Sequence, residues 1–201
     1  VMSAELDTVF RSMAVGAVPA LWRAKSFPSL KPLASYVKDL LARLLMLQDW
    51  YDYGQPPVFW ISGFFFTPSF TTAALQNYAR RHKLPIDSVG YEFVMMGTDP
   101  AAYLLPPLDG VYIHGLFLEG CGWDAVLFEP APVIWLQPKK LTDFRPYPAY
   151  ECPVYRTAER RGVLATTGHS TNFMMMMRMP SAQPESQWIL RGVCMLCSLS
   201  E

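Results

Sequence analysis

The feature that most constrains this chain is a change of hydrophobic period at about residue 87. Before it, apolar residues recur every three or four positions; after it, they come in short runs broken by glycine and proline. A period of 3.6 places side chains on one face of a helix, and short alternating runs between turn residues form strands. The expected class is therefore α+β, with an N-terminal α-helical part over residues 1–87 and an antiparallel β-barrel-like part over residues 88–201. Eighteen prolines point the same way, since each removes a backbone donor and favours short, interrupted elements.

In the first part, Leu6, Val9, Phe10 and Met13 have helical spacing. The clearest helix runs from Leu33 to Trp50, with Leu33, Val37, Leu40, Leu44 and Leu47 as its expected inward stripe and Lys38, Asp39 and Arg43 turned away. Leu41 and Leu45 widen that stripe, so the helix is expected to be covered on more than one side. Ser29 is the expected cap, with Pro32 in the first turn. The run from Phe59 to Phe66 suits either a buried strand or a buried helical turn, and Gly63 within it suggests close approach of another backbone. Thr67-Pro68 reads as the start of a helix reaching about His82, with Thr67 as cap. Arg80, Arg81, His82 and Lys83 then complement the carbonyl end of its dipole.

In the second part, strands are expected at 89–96, 110–119, 123–128, 133–136, 150–157, 163–167, 172–179 and 188–199, with a loop over 97–107. The longest apolar run, Val58 to Phe66, is far below the roughly 20 residues of a membrane helix. The opening Val1-Met2-Ser3 has neither a basic leader nor an apolar signal core and begins inside a predicted helix. The expectation is a soluble piece of a longer chain.

Seventeen basic and seventeen acidic residues balance, so the overall field recruits neither nucleic acid nor an anionic membrane. The four cysteines are too few for a disulfide framework and suggest a reducing compartment. Cys194 and Cys197 have knuckle spacing, but their flanks read as a strand, which turns residues three apart to opposite faces. Buried structural thiols are expected there, and no metal site. No phosphate loop, Gly-x-Ser-x-Gly elbow or His-Glu-x-x-His pair is present.

Two constellations could carry chemistry. Glu119 and Asp124 flank a Gly-Cys-Gly turn as an acid–base pair would, although carboxylates at a hairpin mouth are commonplace. Cys152 and His169 are the minimum for a thiol-dependent hydrolase or transferase. Against this, Pro153 keeps the thiol from a helix start, and Gly168-His169-Ser170-Thr171-Asn172 suits a hydrogen-bonded turn.

The chain resembles the C-terminal domain of dynein heavy chains of the axonemal type. The resemblance rests on Phe59-Trp60-Ile61-Ser62-Gly63-Phe64, Gln76-Asn77-Tyr78, and Gly110-Val111-Tyr112 through Gly115 to Glu119-Gly120 and Trp123-Asp124. It continues in Cys152-Pro153-Val154-Tyr155, Gly168-His169-Ser170-Thr171-Asn172, Trp188-Ile189 and Arg191-Gly192. The chain departs from the family in a short link from Phe128 to Val133 and in Cys121-Gly122.

The resemblance implies a non-catalytic regulatory and structural domain of helices followed by a β-barrel, docked on the AAA+ ring of its own heavy chain. The resemblance likewise implies a cytoplasmic location in the axoneme of a cilium or flagellum, within a parent chain that is an ATP-hydrolysing motor. It implies ATP and Mg in that ring and no cofactor here, microtubules reached only indirectly through the motor, and no nucleic acid or membrane partner. Direct microtubule binding through Arg80, Arg81, Lys83, Arg160 and Arg161 is a third reading, which predicts salt-sensitive association. Trp22 and Trp50, if left without cover in the chain, are the expected ring contacts.

Overall fold

The structure is a computed structural model and describes residues 3–97, 99–120, 128–144, 146–159 and 172–198. Five helices and nine strands are assigned among them. Helices α1 (Ala4–Ala14), α2 (Ala20–Lys25), α3 (Leu33–Tyr53) and α4 (Thr67–His82) precede most of the strands. Only β1 (Val58–Trp60) lies between α3 and α4.

Two sheets follow. The first orders β1-β3-β6-β2, from β2 (Val89–Met95), β3 (Val111–His114) and β6 (Ile134–Lys140). The second orders β5-β4-β9-β7-β8, from β4 (Phe117–Glu119), β5 (Phe128–Pro130), β7 (Ala149–Tyr155), β8 (Phe173–Pro180) and β9 (Cys194–Leu196). A fifth helix, α5 (Glu185–Arg191), lies between β8 and β9. The molecule is thus mixed α+β, helices first and sheets second.

Among the described residues the two sheets do not close into a barrel, nor are they wholly antiparallel. β1 runs parallel to β3, and β7 parallel to β9. The expected strand over 110–119 is broken at Gly115, whose φ of +91° is accessible to glycine at little cost. β3 therefore ends in one sheet and β4 begins in the other. The opposing strand makes the same passage, from β5 through Val133 to β6. The Ala131 N–H donates to Leu116 O at the crossing. A strand pair that changes sheets by bending gives two packed layers instead of a cylinder.

One apolar core fills the space between the sheets. Ile113, Leu118, Ile134, Cys152, Met177 and Met195 all belong to it, and each is almost fully buried. In β7 alternate residues point inward, and Cys152 opposes Met177 of β8 in register. Methionine's flexible thioether suits a core assembled from two sheets meeting at an angle. A smaller cluster of Val18, Phe27 and Tyr36 lies under α2 and the start of α3.

Local sequence chemistry accounts for further differences from expectation. The predicted strand over 188–199 is instead α5 followed by β9. Pro184 and Glu185 start the helix, and Gly192, at φ +66°, ends it in the left-handed conformation. Pro32 stands at the N-cap of α3, while Ser29 Oγ accepts the Lys31 N–H in a local turn. Thr67 is the first residue of α4 and makes no side-chain cap. The ambiguous run after Val58 is both things in turn, β1 and then a 3-10 turn over Ile61–Gly63.

Candidate docking surface

The inward face of α3 is rotated from the one its leucines suggest. Tyr36, Asp39 and Arg43 are its buried residues, whereas Val37, Leu41, Leu44 and Leu45 are exposed, Leu41 and Leu45 each by 60%. Leu33, Leu40 and Leu47 are half-buried along the flanks. The predicted stripe fails because residues 36, 39 and 43 define a different helical face, and that face carries an ion pair.

Arg43 Nε donates to Asp39 Oδ2 at 3.0 Å, and Lys31 Nζ lies 3.4 Å from Asp39 Oδ1. The guanidinium carbon stands 3.8 Å from the Phe27 ring centre, and Nη1 donates to Phe64 O at 3.4 Å. Burial pulls the Arg43 pKa down, and the Asp39 carboxylate opposes it. Arginine keeps its charge in such a setting because its intrinsic pKa is so high. The pair therefore joins the small cluster at Phe27 to the main core at Phe64 and compensates its own desolvation locally.

α1 has the same outward character. Leu6, Phe10 and Met13 are exposed, and none of its residues is buried. An 11-residue helix is marginal in water without an apolar face to pack. Together α1 and α3 present apolar side chains to the outside, while a salt bridge occupies the inside of α3. An outward apolar face of this size is unusual for a helix with a charged pair on its inner side.

Trp22 packs on the Val18–Phe27–Tyr36 cluster, and Trp50 meets Phe59 edge-on with centroids 5.0 Å apart. Both indoles are half-buried with cover from their own chain. More exposed than either indole are Leu6 and Phe10 on α1 and Leu41 and Leu45 on α3, each by more than half.

The glycines and aromatics of the family motif form a structural lattice. A Cβ on Gly63 would lie 2.4 Å from Trp60 Cε3, and one on Gly115 would lie 2.4 Å from Trp60 Cδ1. The close neighbour of Gly63 is thus an indole and not another backbone. Gly110, at φ +78°, would bring a Cβ within 2.0 Å of Leu136 O. Phe64 stacks on Phe70 of α4 with centroids 4.3 Å apart. Gln76 and Asn77 are exposed on α4.

Glu119 accepts a contact from Cys194 Sγ at 3.3 Å, and Gly120 follows at φ +85°. Trp188 Nε1 donates to Ser181 Oγ at 2.7 Å, and Arg191 lies over the Trp188 ring. Buried Asn172 Nδ2 donates to Thr157 O at 3.0 Å and to Glu159 O, tying down the segment that follows β7. Tyr155 meets Phe173 edge-on across the same strand pair.

Cys152 lies on β7 with no exposed surface, and Pro153 follows it within the strand. A thiol there is out of reach of a substrate, so nothing supports the hydrolase or transferase reading. Trp123, Asp124, Arg160, Arg161, Gly168, His169 and Ser170 lie outside the described residues. Cys194 and Cys197 are both buried but contact different partners, Cys197 Sγ lying 3.6 Å from Met174 Sδ. Among the described residues, no three of His, Cys, Asp and Glu come together to hold a metal ion. No described helix is long and apolar enough to cross a membrane.

The domain is mixed α+β, helices ahead of two sheets, with an outward apolar face on α3 and glycines packed closely on Trp60 and Leu136. A family model for the C-terminal domain of the dynein heavy chain matches residues 1–197, and this protein belongs to that family. It is 51% identical to dynein axonemal heavy chain 3 of Mus musculus, across 98% of this chain and 5% of the relative. It is 49% identical to dynein axonemal heavy chain 12 of Homo sapiens, across 100% of this chain and 7% of the relative. With dynein axonemal heavy chain 1 of Mus musculus the identity is 44%, across 99% and 5%. The chain therefore spans less than a tenth of the length of these relatives.

Proposed function

We propose that this domain is a non-catalytic regulatory and structural part of an axonemal dynein heavy chain, seated on the AAA+ ring of that same chain. There it modulates microtubule-based motility that drives ciliary and flagellar beating. The observation that carries the reading is the inversion of α3, with Asp39 and Arg43 inside and Val37, Leu41, Leu44 and Leu45 outside. Each aliphatic side chain covered on docking contributes on the order of 1.5–3 kcal/mol, before the cost of association. Val37, Leu41, Leu44 and Leu45 on α3, with Leu6, Phe10 and Met13 on α1, are the apolar side chains available to be covered.

ATP and Mg belong to the parent ring in this reading, and the domain acts on hydrolysis through contact. Microtubules are reached through the motor and not by this surface. Deleting the domain from a full-length heavy chain tests the role. Microtubule-stimulated ATPase rate and sliding velocity are expected to change at least twofold; values equal to the intact motor's would end the regulatory claim.

A further inference from the structure

A small cavity of about 20 Å³ lies where α3, the start of α4 and the end of β7 meet, and Arg43, Ser62, Thr67, Arg156 and Cys197 supply its polar lining. Space of that order holds one particle about the size of a water molecule. Pro28 and Phe65, both exposed, also line it and give an ion a route from solvent.

The charges around this cavity do not balance. Arg43 is almost fully buried, and its carboxylate partner Asp39 is shared with Lys31. Arg156 brings a further guanidinium to the same small space and forms no ion pair among the described residues. Three cations thus draw on one carboxylate. Among the described residues no carboxylate lines the cavity itself. The Cys197 thiol does not supply the missing charge, because burial pushes it up to about 12 although both guanidiniums favour its thiolate. A surplus of positive charge in a nearly closed site is costly unless a counter-ion joins it.

The hydrogen-bonding groups left over are donors. Ser62 Oγ donates to Gly115 O, while Arg43 engages Asp39 through Nε and Phe64 O through Nη1. That leaves Arg43 Nη2, the Arg156 guanidinium and the Thr67 hydroxyl, which has no hydrogen-bond partner although Thr67 is only 4% exposed. Thr67 is also the first residue of α4, whose N-terminus makes no side-chain cap, so the positive end of that helix adds to the same field. A water molecule would satisfy these donors and leave the charge surplus in place. An anion does both.

We propose that this cavity binds a monatomic anion, chloride in physiological salt, as a bridge between Arg43 of α3, Thr67 of α4 and Arg156 beyond β7. An oxyanion such as sulfate is too large for the space. The bridge fastens the helical part of the chain to the second sheet, and it is independent of ring docking.

Hydrogen–deuterium exchange of the full-length heavy chain, read by mass spectrometry at equal ionic strength in sodium chloride and in sodium gluconate, tests this. Amides of residues 62–71 and 155–158 are expected to exchange about threefold or more slowly in chloride, and those of β2 and β6 at the same rate in both salts. Thr67→Val, which keeps the shape and removes the hydroxyl, is expected to weaken the chloride effect, and Arg156→Gln to abolish it. In gluconate, Arg156→Gln is expected to exchange more slowly than the parent at residues 62–71, because part of the charge surplus is gone. Faster exchange there would show that Arg156 only supports the fold, and would overturn the proposal. So would equal exchange of the parent in the two salts, slowing that sodium sulfate reproduces, or slowing that survives in both variants.

Discussion

Asp39 and Arg43 are the residues on which the helical part is hung. Each is buried, and each is the principal charge partner of the other. Asp39→Ala leaves a buried guanidinium with its main counter-charge gone, and the expected loss is about 3–5 kcal/mol of unfolding free energy. The double change Asp39→Leu with Arg43→Leu is expected to cost less than either single change, because no charge remains buried. Urea denaturation of the four proteins measures this; a double variant as unstable as the sum of the singles would contradict it.

Cys197 makes a complementary residue-scale case. Burial pushes its thiol up to about 12, against roughly 8.5 for a free cysteine. Between those values the unfolded chain gives up a proton that the folded chain keeps, so this residue's contribution to stability is full below the lower value and declines as pH rises toward the upper. The alkaline fall in stability is expected to be shallower in Cys197→Ala, and the native thiol to resist Ellman's reagent at pH 8. A slope unchanged by the substitution would be the contrary result.

At the scale of elements, the passage of the β3–β4 segment between sheets depends on Gly115. Alanine there would be strained by the positive φ and would drive its Cβ into Trp60. Gly115→Ala is expected to cost about 2 kcal/mol or more, read as a fall in melting temperature, with the far-ultraviolet dichroism still that of a mixed fold. A melting temperature within 1 °C or so of the parent would show that the bend tolerates a side chain.

The helices and most strands are legible in the sequence because period and turn residues report local geometry directly. α4 ends at His82 as expected, and β2 and β8 differ from expectation by a residue or so. What is not legible is tertiary. Counting leucines along α3 selects the wrong face, because a hydrophobic stripe does not say whether its cover is inside the chain or beyond it. The strand predicted over 188–199 fails for a local reason, since Trp188, Ile189 and Leu190 suit strand or helix alike and the signals that decide are Pro184 and Gly192. The two-sheet arrangement depends on one glycine within an otherwise continuous strand pattern. Cys152 resembles a nucleophile through its neighbours in sequence, while its neighbours in space are core residues of both sheets.

For the whole molecule, the distribution of polar and apolar surface is the feature to be explained. A neutral chain with a well-filled core between two sheets has bare apolar residues on α1, α3 and the 104–108 loop, as well as Ile189 and Leu190 on α5, and buries an ion pair on the inner side of α3. That pattern fits a domain stable enough to hold its shape and finished only when its helices are covered. The isolated domain is expected to show this directly: Leu41→Glu, Leu44→Glu and Leu45→Glu together are expected to leave its melting temperature nearly unchanged, since those side chains face water already.

The same three substitutions in a full-length heavy chain provide the most direct test, with the domain's position on the ring read by electron microscopy of single motors. Loss of the domain from the ring face in most particles, with the isolated domain still folded, is the expected result. A domain seated as in the parent motor would contradict the claim that the outward face of α3 is what docks.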